Sequence, residues 1–337
     1  MTKESTKDKV LSLLDTHKGT YYSGQELAEI LNVSRQAVWK AINSLRDEGY
    51  EITGLAKHGY ALAADTDVLS ADSVFLYLDD HAKDFYRIEC MEEVSSTNDM
   101  LKAVAPTQAG EGKVLIAGHQ TNGRGRLGRN FYSPKGSGLY LSILLRPNLS
   151  VEESLLITTA AAVAASKACE RVNESLDEAS VKIKWVNDLF LNDRKIAGIL
   201  TEANFSMEYN RLDYAVMGIG FNLEPPKDGY PDDIRNIAGS LYKEKAPIGS
   251  RNKLAAFFLN DFLDIYRALP DKSYIDEYRK RQLIMNSDVK VLNGDGSYRM
   301  AHVTGITDNC ELTLVYEGET VESIVRSGEV SLLSDRS

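Results

Sequence analysis

Residues 123–129 read Gly123-Arg124-Gly125-Arg126-Leu127-Gly128-Arg129, three guanidinium groups spaced by glycine. Arginine forks match the paired oxygens of carboxylates and phosphates, and glycine lets backbone approach such groups closely. The loop lies in a cationic island: residues 112–151 contain Lys113, Arg124, Arg126, Arg129, Lys135 and Arg146 with no Asp or Glu. The surrounding chain is acidic, with 39 Lys and Arg against 49 Asp and Glu over 337 residues, a net charge of −10. A local excess of positive charge in that background marks a place where anions gather. A solvated basic loop is the competing reading. The run also spells G-x-G-x-x-G, but a dinucleotide fingerprint needs a helix at once and an acidic residue about 20 positions on. Here R-N-F-Y-S-P-K-G follows and the next acid is Glu152. The sequence therefore predicts a glycine loop able to fold over a polyanionic ligand.

A second candidate is Val181-Lys182-Ile183-Lys184-Trp185, which alternates strictly. A strand there puts Val181, Ile183 and Trp185 on one face and Lys182 and Lys184 on the other. Trp185 then reads as core rather than as an adenine stacker, and Lys184 as either a surface lysine or a ligand-facing cation. Three cysteines (Cys90, Cys169, Cys310) and five histidines are scattered along the chain. They read as reduced thiols and ordinary imidazoles, with no metal site assigned. Hydrophobic residues at 43% and charged residues at 26%, with mean hydropathy −0.28, fit a globular protein without a membrane span. Residues 1–25 lack a hydrophobic signal core, so a cytoplasmic location is expected.

The elements that must carry these residues fall into three parts. At the N-terminus, a first helix over 3–16 buries Val10, Leu11, Leu13 and Leu14. Ser23 and Glu26 form a capping box for a second helix spaced by Leu27, Ile30 and Leu31. After a turn at 32–34, Ser34 caps a third helix whose Val38, Ile42 and Leu45 recur on one face and which Gly49 stops. Its other face presents Ser34, Arg35, Gln36, Lys40 and Asn43, side chains suited to phosphates and base edges. With a hairpin over 50–63, this is a winged helix-turn-helix, its helix-turn-helix spanning about Ser23 to Ile42. Because residues 1–64 hold eight cations and eight anions, a helical protein-interaction or dimerisation module is the alternative. A linker at 63–67 leads to mixed strands and helices. Strands are expected over 113–118, 138–146, 181–185, 196–202 and 214–219. Helices are expected from the Ser150/Glu153 capping box to 172, and over 253–269. Past Met285, short strands over 289–292, 299–306, 311–316, 320–325 and 329–333 predict a small barrel.

Taken with Ser96-Thr97-Asn98, Gln120, Lys184-Trp185-Val186-Asn187-Asp188 and Gly218-Ile219-Gly220-Phe221-Asn222, the loop resembles the biotin protein ligases. With the helix-turn-helix, the chain resembles the bifunctional biotin ligase/biotin operon repressors along nearly its whole length. The resemblance implies an α+β multidomain fold: a winged helix-turn-helix (1–64), a mixed α/β, class II synthetase-like ligase core (65–282) and an SH3-like β-barrel (283–337). It implies that biotin and ATP form biotinyl-5′-AMP, with Mg²⁺ expected, and that biotin passes to a lysine on the acceptor domain of a carboxylase. Ser96, Thr97, Asn98 and Gln120 would then bind biotin, with Arg124, Gly125 and Arg126 over it. Lys184 would bridge the biotin carboxylate and the α-phosphate, so that Lys184, Arg124 and Arg126 are the catalytic set. Arg126, Arg129, Phe131, Asn187, Asp188, Gly220 and Asn222 would meet the nucleotide. Phe131 stands where the family commonly has tryptophan. The adenylate would also act as corepressor, favouring a homodimer on operator DNA. A biotin-sensing repressor without turnover and a lipoate-type ligase are the alternatives.

Overall fold

The computed structural model describes residues 5–55, 58–64, 66–107, 109–206, 208, 210–292, 296–326 and 330–332. The N-terminal unit consists of α1 (Thr6–Thr16), α2 (Gly24–Leu31), α3 (Arg35–Asp47) and the hairpin β1 (Ile52–Leu55)–β2 (Gly59–Leu62). Local chemistry sets its helix starts. Ser23 and Glu26 satisfy each other's backbone N–H groups ahead of α2, and the Ser34 hydroxyl accepts from the Ala37 N–H ahead of α3. Asn32 takes a left-handed turn between them. Val10, Leu11, Leu14, Leu27, Val38, Ile42 and Leu45 form the core, with Leu13 half-buried beside it. Ile30, spaced as a core residue, is instead 56% exposed. Lys3 and Glu4 of the expected first helix, Ala56 and Lys57 of the wing, and Asp65 of the linker lie outside the described residues.

The linker is tethered rather than loose. Asp67 accepts from the Gly249 N–H and from Arg251, and across the junction Tyr77 donates to Asp15 at 2.9 Å. The next unit follows as α4 (Ala71–Phe75), α5 (Asp80–Phe85), β3 (Arg87–Met91), α6 (Thr97–Val104), β4 (Lys113–Ala117), β5 (Gly138–Leu145) and α7 (Leu155–Val172). It continues through β6 (Lys182–Lys184), β7 (Asp188–Leu191), β8 (Arg194–Ser206), β9 (Arg211–Asn222), α8 (Ser250–Arg267) and α9 (Ile275–Lys280). The Ser150/Glu153 capping box forms, but a turn intervenes before α7 begins. Seven strands make one mixed sheet in the order β3-β4-β5-β9-β8-β7-β6, parallel between β3 and β4 and antiparallel elsewhere. One face carries Leu139, Leu141, Ile143, Met217, Ile219 and Phe221 into a core with α7 and α8. Among the described residues the other face is covered by α6, through Leu101, Leu115, Leu144 and Val216. The rest of that second face is where the site forms.

The C-terminal strands are β10 (Asp288–Leu292), β11 (Tyr298–Ile306), β12 (Leu312–Tyr316), β13 (Ser323–Val325) and β14 (Val330–Leu332). They form a five-stranded sheet in the order β13-β12-β11-β10-β14. Among the described residues β13 and β14 are not paired, so the expected closed barrel is not seen there. Glu329 and Leu333 lie outside the described residues. The three cysteines are free thiols, and burial pushes the Cys90 thiol up to about 12. Among the described residues no helix is long and apolar enough to cross a membrane.

Candidate ligand site on the open face of the central sheet

Strand register aligns Lys184, Asp188, Gly198, Gly220 and Tyr140 in one row across β6, β7, β8, β9 and β5. Directly paired residues share a face, so this row and its neighbours two residues away line the open side of the sheet. Glycines make that side shallow. A Cβ on Gly220 would lie 2.5 Å from the Phe131 ring, and one on Gly218 would lie 1.9 Å from Asn98 Oδ1. Phe131 therefore rests on the Gly198/Gly220 pair, with its ring 6.4 Å from that of Tyr140 in an edge contact. The space over Gly220, a residue expected at the nucleotide, is filled by the Phe131 ring.

The Ser96-Thr97-Asn98 segment starts α6 and is almost wholly buried. Ser96 caps the helix by accepting from the Asp99 N–H, a local reading that coexists with ligand contact. Gln120 accepts from the Thr97 N–H at 2.9 Å and from its hydroxyl at 3.1 Å, and donates to Ser133. Ser142 sits between Thr97 and Asn98, 2.7 and 2.6 Å from their side-chain oxygens. Asn98 also donates to the Leu200 carbonyl and to Glu202. Its side-chain amide is thus engaged with the framework beside the Thr97/Gln120 pair. Ser96, Thr97 and Gln120 come together as expected.

The Gly/Arg loop is a compact turn. Arg124 and Asn130 pair across it, and Leu127 and Gly128 at the tip have φ of 55° and 74°. Leu127 is 72% exposed. Arg124 donates to Asp99, which also meets Lys102, and Lys102 in turn meets Glu202. Burial opposes ionisation of Asp99, but hydrogen bonds from Lys102 and Arg124 outweigh it and hold the carboxyl below its usual range. Arg126 donates to Asn187 at 3.3 Å, while Asn187 donates to the Ile199 carbonyl at 2.7 Å. The loop is thus tied to the sheet beside Lys184, whose ammonium lies 5.8 Å from the centre of the Phe190 ring. Arg129 is exposed at the end of the turn.

The structure departs from the sequence reading at several positions. Asn222, two residues beyond Gly220 on the same face of β9, donates to the carbonyls of Lys195 and Gly239 and so clips the segment after β9. Lys195 was not singled out, yet its ammonium lies 2.7 Å from Asp188 and beside Gly198. A bulge in the β7–β8 ladder turns it onto the site face, and nothing in the local sequence marks that bulge. Trp185 is core as expected, its indole donating to the Cys310 carbonyl. In the N-terminal unit, Ser34, Arg35, Gln36 and Lys40 are exposed on α3 and Asn43 is half-buried. Trp39, one turn on from Arg35, shares that face and is 57% exposed. An exposed indole among cations could have been flagged from spacing alone.

The open face thus gathers the polar cluster of Ser96, Thr97, Asn98 and Gln120, the cations Lys184 and Lys195, and the arginines of the loop. Residues 90–222 match the biotin/lipoate A/B protein ligase family and residues 6–61 match an HTH domain. The bifunctional ligase/repressor BirA of Bacillus spizizenii is 35% identical over 70% of this chain and 71% of its own. BirA of Escherichia coli is 29% identical over 97% of each chain. The biotin protein ligase from Aquifex aeolicus, solved in complex with biotin and ATP, superposes with a TM-score of 0.59 at 25% identity. It covers 74% of this chain and 99% of the solved one. The chain belongs to the family of bifunctional biotin protein ligases and biotin-responsive repressors.

Proposed function

We propose that the open sheet face makes biotinyl-5′-AMP and passes biotin to a lysine of a carboxylase acceptor domain, and that α3 carries the repressor activity. The observation that carries the reading is the row from Lys184 and Asp188 to the Gly198/Gly220 platform. At its Lys184 end Arg126 is tied in through Asn187, and the Thr97/Gln120 pocket lies alongside. In the first step a biotin carboxylate oxygen attacks the α-phosphorus of ATP and the bond to pyrophosphate breaks. In the second the acceptor amine attacks the acyl carbon and AMP leaves. Ser96, Thr97 and Gln120 hold the ureido ring. Lys184 spans carboxylate and α-phosphate, and Arg124, Arg126 and Arg129 meet the remaining charge. Fixed cations in a water-poor site lower such a barrier without reorganising. Asn187, Asp188 and Lys195 shape the nucleotide end, and Phe131 offers its ring there. Loop closure keeps water from the anhydride.

Among the described residues no group of three or more His, Cys, Asp or Glu side chains forms a metal site. Mg²⁺ would enter with ATP. The division of the chain is read as 1–64, 65–282 and 283–337, the last an SH3-like module. Ordering of the loop by the adenylate would favour a homodimer, which places two α3 helices on a palindromic operator. The test is intact-mass analysis of a biotin-acceptor domain incubated with the protein, ATP, Mg²⁺ and biotin, with lipoate in a parallel tube. An ATP-dependent gain of the biotin mass is expected. A gain only with lipoate, or with neither acid, overturns the assignment.

A further inference from the structure

Lys184 ends a strand of only three residues, β6, at the edge of the central sheet. A strand that short with one partner frays, and a fraying strand cannot hold a catalytic lysine in register. Here the free edge is covered by residues 281–283. The Ile183 N–H donates to the Arg281 carbonyl at 2.8 Å, and the Leu283 N–H to the Ile183 carbonyl at 2.9 Å. The Arg281 side chain, 1% exposed, repeats the grip two residues earlier. It donates to the Val181 carbonyl and, through two nitrogens, to both Glu170 oxygens at 2.7 and 3.0 Å. Glu170 in turn accepts from the Val181 N–H. Glu277 takes the third guanidinium nitrogen at 2.7 Å. Every backbone group of Val181 and Ile183 named here is therefore satisfied by Arg281, its ion partner or its chain neighbour.

A buried Arg–Glu pair is a poor device for stability alone, because apolar packing of similar volume does as well or better. Its distinctive property is a fixed fork of donors aimed at one backbone position. We propose that Arg281 is a positioning residue for adenylate formation: it pins β6 so that Lys184 reaches the carboxylate and α-phosphate together. This rests on the reading of Lys184 as the clamp. Misplacing such a group by about 1 Å costs on the order of 10²-fold in rate. The ureido end of the site, held by Thr97 and Gln120 on other elements, is untouched by the pin.

The experiment uses full-length Arg281→Lys and Glu170→Gln, each alone and combined with Lys184→Ala. Melting and single-turnover pyrophosphate release with ATP, Mg²⁺ and biotin are followed. Both single variants are expected to lose about 10- to 100-fold in adenylation rate while KM for biotin stays within about threefold. In the Lys184→Ala background they are expected to lose nothing further. Losses of equal size in both backgrounds, or a raised KM with the rate intact, overturn the role of Arg281 and leave Lys184 standing. Wild-type pyrophosphate release by Lys184→Ala alone overturns the clamp and this inference with it. If Arg281→Lys loses its melting transition, Glu170→Gln, which keeps volume and one acceptor, decides.

Discussion

Arg126 reaches from the glycine loop to Asn187 on the sheet, 3.3 Å away, and Asn187 is itself fixed to the Ile199 backbone. The loop is therefore docked at its second arginine, next to the strand that bears Lys184. Arg126→Ala removes a docking contact and a cation but no core packing, since Arg126 is only half-buried. Its melting temperature is expected to match the wild type, while biotinyl-5′-AMP leaks into solution and hydrolyses. Filtration of the preformed complex measures retention, and unchanged retention would falsify the covering role of the loop.

The glycines of β9 make a second, purely steric expectation. Gly218→Ala drives a methyl into Asn98 and Gly220→Ala drives one into the Phe131 ring. Overpacking of this kind costs about 1–3 kcal/mol. The two costs should separate by substrate. Displacing Asn98 disturbs α6 and the Thr97/Gln120 pair, so KM for biotin rises. Displacing Phe131 disturbs the nucleotide end, so KM for ATP rises. Steady-state pyrophosphate release with each substrate varied distinguishes them. A rise in the same KM for both variants counts against the division of the site.

What was legible in the sequence was local. The Ser23/Glu26 box, the Ser34 cap and the Val181/Ile183/Trp185 alternation each depend on neighbours within five residues, and each appears as read. The glycine loop was legible because its arginines and glycines are adjacent. Spacing failed where exposure depends on distant elements. Ile30 has core spacing yet is 56% exposed, whereas the spacing of Trp39 already places it on the exposed face of α3. The placement of Lys195 depends on a bulge. The grip on β6 comes from residues about 100 positions away in sequence, an arrangement that no periodicity encodes. Barrel closure is not legible for a similar reason, because turn-separated strands predict a sheet but not whether its edges meet.

Arg124 is paired with Asp99, so under the proposed function Asp99 competes with ligand for this cation. Asp99→Asn should release Arg124 and lower KM for biotin by up to about fivefold, the ceiling for a half-exposed pair worth about 0.2–1 kcal/mol. The pH dependence follows from the direction of the shift. The folded-state carboxyl lies below its unfolded value, about 3.9 for Asp. The pair is therefore complete above that value and is lost only as pH falls through the lower folded one. The ratio of variant to wild-type KM should then be the same at pH 6 and pH 8. A ratio that changes between them, or a KM that does not fall, shows that Asp99 does not restrain the loop.

Trp39 lies in the middle of the exposed face of α3, with Arg35 and Gln36 one turn before it, Lys40 beside it and Asn43 one turn after. A cation on this face contributes to duplex binding mainly through phosphates, whatever the sequence. An indole pushed into a groove contributes through fit to particular bases, including thymine methyl groups. The two substitutions should therefore fail differently. Arg35→Ala should weaken binding to all duplexes and reduce the salt slope by about one. Trp39→Ala should leave the slope unchanged and lose about tenfold, the effect of about 1.4 kcal/mol, only on preferred duplexes. The preferred duplexes are those the wild-type protein selects from a random pool in biotin and ATP. Because both side chains are exposed, melting and biotinylation of an acceptor domain should match the wild type. If Trp39→Ala binds the selected and unselected duplexes with wild-type affinity, the indole does not read DNA and its exposure has another cause.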